Sequence, residues 1–191
     1  KLNLSPMYFR PGFAFGGSCL PKDLRAITCT AKQSDISVPL LDAALQSNLE
    51  HIRFAANMVQ KDSKARIGIL GVSFKEGTDD LRESPVVTLA EKLLDEGYSL
   101  SIFDHNVSQA KKNGSNTDYL KEKFHHLENT LCDTADDVVS KSDVLVIGNR
   151  TKEHEAALKR LKNKHRIVDL SGIEQESTKQ FKEAHYEGIC W

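Results

Sequence analysis

Four short apolar runs constrain this chain more than any other feature. They are Ile67-Gly-Ile-Leu-Gly-Val72, Leu100-Ser-Ile-Phe-Asp104, Asp143-Val-Leu-Val-Ile-Gly148 and Arg166-Ile-Val-Asp-Leu170. Each is strand-length, and they are apolar almost throughout instead of alternating with polar residues. That pattern belongs to strands covered on both faces. Between them lie stretches of helical period: Pro85–Glu96, closed by Gly97, then Thr134–Ser140 and Glu153–Leu161. Strands alternating with helices predict an α/β fold, a Rossmann-like parallel sheet with helices on both faces. The polar stretch from about Lys111 to Leu131 carries no clear period.

The chain ahead of Arg66 is different. Pro6, Pro11, Gly12, Gly16 and Gly17 break up residues 1–18 into loop. Pro21 suits a first helical turn, with Asp23 placed to complement the helix dipole, so a helix is predicted over Pro21–Gln33. After a break at Ser34–Ser37, Leu41, Leu45, Asn48, Ile52, Ala55 and Val59 recur at helical spacing and predict a second helix over Val38–Lys61. A helix that long suits a spacer between domains or a dimer contact. The chain is thus expected to hold two parts: residues 1–62, a loop and central helices used for dimerisation, and residues 63–191, an α/β domain.

Composition excludes some functions. The net charge of −1 gives no bulk attraction to nucleic acid or to an anionic membrane. No apolar run reaches the roughly 18–20 residues of a membrane span. Cys19, Cys29, Cys132 and Cys190 have irregular spacing that fits neither a zinc site nor CxxC redox chemistry, and no metal is expected. Thiols in a chain without a visible secretory signal point to a reducing cytoplasm.

Two constellations carry chemistry. In Phe15-Gly-Gly-Ser-Cys-Leu-Pro-Lys-Asp23 the glycines let backbone approach a ligand, and Cys19 stands just ahead of a helix start. The helix N-terminus and Lys22 favour a thiolate, and Asp23 can orient a water or accept a proton. A buried structural cysteine beside a turn is the plainer account. In Gly71-Val-Ser-Phe-Lys-Glu-Gly-Thr-Asp-Asp-Leu-Arg-Glu-Ser-Pro85, Lys75 and Arg82 suit a diphosphate, and Ser84 can cap the helix that Pro85 begins. A solvated loop, its cations paired with Glu76, Asp79, Asp80 and Glu83, is the competing account. Tyr8, Arg10 and Phe13 can clamp a base, ribose and phosphate, or simply cover the helix pair.

The fourteen residues from Arg10 to Asp23 resemble the nucleophile motif of the UDP-glucose/GDP-mannose dehydrogenase family, and its GDP-mannose branch in particular. The second loop resembles that family's G-x-x-F-K and T-x-D-x-R-x-S-P signature. The resemblance continues through Ile102-Phe-Asp104 and Glu187-Gly-Ile-Cys-Trp191. It implies a double oxidation of the sugar C6, from alcohol to acid, with NAD as cofactor and Cys19 as nucleophile. By the same resemblance Asp23 assists the chemistry, Lys22 and Arg82 contact NAD, and Lys75 binds the nucleotide-sugar. Residues matching Met7, Tyr8, Arg10, Phe13 and Gly16 contact GDP-mannose or a related nucleotide-sugar, some of them across a homodimer or higher oligomer. Met7 stands where the family pattern leads us to expect tyrosine, so a backbone contact is the one expected there. A mannuronate-containing polysaccharide is the implied destination.

Neither GxGxxG nor its acidic ribose partner is present; Gly68-Ile-Leu-Gly71 does not qualify. The chain is therefore expected to be a carboxy-terminal part of such an enzyme and inactive by itself. UDP-glucose and UDP-N-acetylhexosamine remain alternative substrates. A non-catalytic nucleotide-binding or oligomerisation module is the alternative of another class. An upstream strand-turn-helix with GxGxxG would favour the enzyme; a start codon immediately upstream would favour the module. Arg166 is a weaker substrate candidate.

Overall fold

A computed structural model describes residues 12–62, 65–74, 77–113, 127–161, 165–172 and 184–189. Met7, Tyr8, Arg10 and Lys75 lie outside the described residues, as does Cys190. Helices α1 (Leu20–Gln33) and α2 (Pro39–Val59) come first. Then follow β1 (Ile67–Leu70), α3 (Pro85–Asp95), β2 (Leu100–Phe103) and α4 (His105–Asn113). After a 3-10 turn at Glu128–Thr130 come α5 (Ala135–Lys141), β3 (Val144–Ile147), α6 (Lys152–Leu158), β4 (Arg166–Asp169) and β5 (His185–Gly188).

The strands form one sheet in the order β2-β1-β3-β4-β5, parallel throughout. The four apolar runs are its first four strands. Alternate side chains feed two cores. Ile67, Ile69, Val144, Val146 and Val168 pack with α3 and the second half of α2. Leu70, Leu145, Ile147 and Ile167 pack with α5 and α6. Gly68 is explained by this second layer: a Cβ there would lie 2.3 Å from Ser142 Oγ and 2.7 Å from Val138, so glycine lets α5 sit close over β1.

Two elements differ from expectation. Helix α4 was not expected and runs from His105 only into the start of the stretch that lacked a period, and β5 was not expected at all. His185-Tyr-Glu-Gly188 is polar because it is an edge strand. Its structure is supplied by pairing with β4, a non-local contact that the local pattern does not encode.

Helix α2 ends inside the sheet's core, with Ile52, Ala55, Ala56, Met58 and Val59 buried. Arg166 closes it. Its guanidinium donates to the carbonyls of Met58 and Val59, both at 2.7 Å, satisfying helix-end acceptors and complementing the dipole. Arg166 opens β4, so it sits at the amino edge of the sheet, away from the carboxyl edge where parallel sheets bind ligands. Its role as a substrate residue is therefore not supported by its place. Beside it, Glu187 accepts from Lys61 Nζ at 2.9 and 2.7 Å. Burial alone would raise the Glu187 carboxyl. The Lys61 hydrogen bonds and the charges of Lys61, Arg166 and His185 outweigh it and hold the group below its ordinary range.

Two outcomes follow from this junction. Arg166→Ala should cost about 3 kcal/mol in urea unfolding, the worth of two charged hydrogen bonds, and leave phosphate-ligand affinity unchanged. Because the Glu187 carboxyl is depressed in the folded state, its contribution is complete above the unfolded value and is lost as pH falls through the folded one. Glu187→Gln should therefore lose less stability than wild type as pH falls below the ordinary glutamate range in the same assay.

Candidate functional site

The loop after β1 is built from its two ends inward. At one end the buried carboxylate of Asp104 accepts from Val72 N, Ser73 N and Ser73 Oγ at 2.9–3.0 Å on one oxygen, and from Asn106 N and Val107 N at 3.0 and 3.3 Å on the other. At the other end Ser84 caps α3 as expected, accepting from Val87 N at 3.5 Å, and its hydroxyl donates to Val72 O at 2.6 Å. The loop leaves Val72 and returns to it.

Residues before Cys19 are held by α2 and by this loop. Asn48 is the one polar member of the α2 stripe. Its carboxamide takes both main-chain groups of Phe15, accepting from N at 2.8 Å and donating to O at 2.9 Å. Gly16 then lies against the loop: a Cβ there would be 2.2 Å from Glu83 O and 2.7 Å from Pro85 Cδ. Helix α1 starts one residue earlier than Pro21, which puts Cys19 in the cap position. The thiol is exposed, with Ser18 Oγ 3.8 Å away, so the buried-cysteine account does not hold. Asp23 N donates to Cys19 O at 2.8 Å, and the Asp23 side chain one turn on pairs with Lys22 at 3.3 Å.

Two clefts flank this loop. The larger, about 480 Å³, is lined by Ser18, Lys22 and Arg25 from the α1 side and by Arg82, Thr88 and Glu91 from the α3 side. It brings together Lys22 and Arg82, the two residues expected to meet NAD. Arg82 donates from Nε and Nη2 to the two oxygens of Asp80, each at 2.8 Å. These bonds hold the Asp80 carboxyl below its usual range against the effect of burial. The ion-paired account of this loop is thus correct for Arg82.

The second cleft, about 270 Å³, opens at the carboxyl ends of β1, β3 and β4. Phe13 and Phe74 line it, with Ser73, Asn149, Arg150 and Ser171. It lies where the strand order turns outward in both directions, between β1 and β3, the position at which open parallel sheets hold ligands. Phe13 is therefore on this cleft, whereas Gly16 lies between the two. Asn149 and Arg150 escaped sequence reasoning, although they directly follow a predicted strand. Asn149 Nδ2 donates to Ser73 Oγ at 3.0 Å, and Arg150 Nε to Glu155 at 2.6 Å. No group of three or more His, Cys, Asp or Glu among the described residues is arranged to hold a metal ion. No described helix is long and apolar enough to cross a membrane.

Comparison with known proteins adds to this geometry. Residues 68–176 match the family model described as the UDP-glucose/GDP-mannose dehydrogenase family, UDP binding domain, and residues 1–50 match that family's central domain. The chain is 46% identical over 191 residues to GDP-mannose 6-dehydrogenase of Pseudomonas aeruginosa, covering 100% of this chain and 43% of that protein. It is 32% identical to UDP-glucose 6-dehydrogenase of Rickettsia bellii over 139 residues, 69% of this chain and 31% of that protein. The chain thus spans less than half the length of these relatives. A crystal structure described as a ternary complex of GDP-mannose dehydrogenase from Pseudomonas aeruginosa superposes on all of this chain and 43% of that one, with a TM-score of 0.88 and 43% identity.

The close seat of Gly16 supplies a test of this geometry. Gly16→Ala should destabilise the protein by about 2 kcal/mol or more, since a main-chain carbonyl and a proline ring must shift to admit the methyl. Thermal unfolding measures it. A change near zero would show that the loop does not rest on Glu83.

Proposed function

Since this chain belongs to the UDP-glucose/GDP-mannose dehydrogenase family, we propose that it forms the nucleophile-bearing and nucleotide-sugar-binding parts of an NAD-dependent 6-dehydrogenase acting on GDP-mannose. The observation that carries this reading is the placement of an exposed Cys19 at a helix cap, beside a cleft walled by Lys22 and Arg82. Identity to GDP-mannose 6-dehydrogenases over the whole chain supports the choice of sugar nucleotide.

The cleft of about 480 Å³ has cations on both walls, which suits a diphosphate group. Lys22 and Arg82 are the residues proposed to hold that part of NAD; each bound NAD+ would accept one hydride, so two molecules would serve the two oxidations in turn. The second cleft is the proposed seat of the nucleotide-sugar, with Phe13 on its wall and Met7, Tyr8, Arg10, Gly16 and Lys75 as further contacts.

Cys19 does the covalent work. An aldehyde carbon lacks the oxygen needed for direct conversion to an acid. The thiolate adds to it, forming a C–S bond, and the carbonyl oxygen takes up a proton. The resulting thiohemiacetal carbon again bears a hydrogen that can leave with its electron pair. Loss of that hydride and of the hydroxyl proton gives a thioester, and water cleaves its C–S bond to release carboxylate and thiol. Asp23, one helical turn from Cys19, is the residue proposed to orient that water or accept its proton.

Residues 1–62 are proposed as the oligomerising part and residues 63–191 as the nucleotide-sugar domain. Leu20 and Ile27 on α1, and Leu40, Leu49 and Phe54 on α2, are half or more exposed. We assign these apolar side chains to a homodimer or larger assembly, which sedimentation equilibrium should show at tens of micromolar.

The decisive experiment uses the complete enzyme containing this segment. Cys19→Ser should bind both ligands, yet lose oxidation to the uronic acid, because a serine hydroxyl is a far weaker nucleophile. Mass spectrometry of wild type quenched during turnover should find sugar on Cys19 and not on Cys29 or Cys132. Acid formed at a near-normal rate by Cys19→Ser would overturn the reading.

A further inference from the structure

The helix that carries Cys19 and Lys22 meets the loop that carries Arg82 through one pair of side chains. Arg25 of α1 donates to both oxygens of Glu83, at 2.8 and 3.3 Å. Both groups are about half exposed, so their ion pair in water is weak. Its surroundings suggest more than a chance surface contact. Glu83 has a φ of 53°, a left-handed conformation that a residue with a Cβ adopts only under constraint. That turn separates Arg82, which faces the larger cleft, from Ser84, which caps α3. The carbonyl of the same Glu83 is the surface on which Gly16 rests. Arg25 and Glu83 also form the partition between the larger cleft and an apolar cavity of about 270 Å³ under α1, lined by Phe15, Leu45, Leu49 and Ile52.

We infer that Arg25 and Glu83 are positioning residues: their two-pronged pair latches α1 to the loop, so that Cys19, Lys22 and Arg82 keep one geometry. The inference rests on the reading of this region as the reaction site. Arg25 touches no reacting atom in this role. Besides the pair, the chain entering α1 meets the loop through Gly16, against Glu83 O, and Gly17, against the Phe74 ring, and α1 packs on α2 with Pro21 and Ala31 buried. The pair adds a direct hold on the rotation of α1 relative to the loop. A guanidinium gripping a carboxylate by two parallel hydrogen bonds does fix it, because both partners are planar.

The test uses this chain and needs no turnover. Alkylation by iodoacetamide is followed at each cysteine by peptide mass spectrometry in wild type, Arg25→Gln, Glu83→Gln and the exchanged pair Arg25→Glu/Glu83→Arg. Cys29 lies on α1 ten residues beyond Cys19 and is also exposed, so it reports general loosening of the helix. The rate at Cys19 should change by about threefold in each single variant, the size an exposed ion pair supports, while Cys29 stays unchanged. The exchanged pair should return Cys19 to the wild-type rate. Unchanged Cys19 rates in both single variants, parallel changes at Cys19 and Cys29, or failure of the exchanged pair to restore the rate would each overturn the latch. Calorimetric titration of wild type with inorganic pyrophosphate examines the underlying reading separately. Binding that Lys22→Ala and Arg82→Ala abolish supports the cleft as a diphosphate site, and absence of binding overturns that reading whatever the thiol rates show.

Discussion

Everything at the carboxyl edge of this sheet hangs on the Asp104 carboxylate. It is 2% exposed and takes five hydrogen bonds, three from Val72 and Ser73 and two from the first turn of α4. A buried carboxylate is tolerated only when so supplied with donors. The supply here comes from the main chain just after β1. That fixes the start of the loop that runs to Arg82, and Ser84, bonded back to Val72 O, fixes its end. The arrangement also explains the missing dinucleotide fingerprint. In such motifs the main-chain N–H groups after the first strand face a ligand's phosphates. Here those of Val72 and Ser73 are already given to Asp104. A phosphate ligand would then have to be met by side-chain cations, and Arg82 on this loop is the one proposed for that role.

Helix α2 joins the two halves of the chain mechanically. Its second half is part of the sheet's core and ends on Arg166, which is rooted in β4. Its first half projects beyond the sheet with Leu40 81% exposed, and Asn48 near the middle grips Phe15. A rigid rod anchored at one end thereby sets the distance between the cysteine loop and the strand ends. The apolar side chains left exposed along α1 and α2 are what a partner surface would bury.

The cations of the larger cleft are each compensated: Lys22 by Asp23, Arg25 by Glu83 and Arg82 by Asp80. Ion pairs this exposed contribute little to stability in water. A diphosphate offers more oxygens and more charge than one carboxylate, so exchanging partners costs little and gains charge-assisted hydrogen bonds. Cations paired in this way therefore agree with both a stable loop and a binding role.

The amino-acid sequence by itself determined the alternation of four apolar strands with helices, because strands buried on both faces must be apolar throughout. It also determined the cap at Ser84 and the cysteine ahead of a helix, since capping and turn chemistry act within a few residues. It could not reveal β5, whose polar residues become a strand only by pairing with β4. Nor could it show that Asn48 holds Phe15, that Arg25 grips Glu83, or that Arg166 closes the end of α2. Those partners lie 33, 58 and over 100 positions apart in the chain. Hydrogen bonds between such distant groups exist only after the sheet and helices have packed, so only the tertiary structure could decide them.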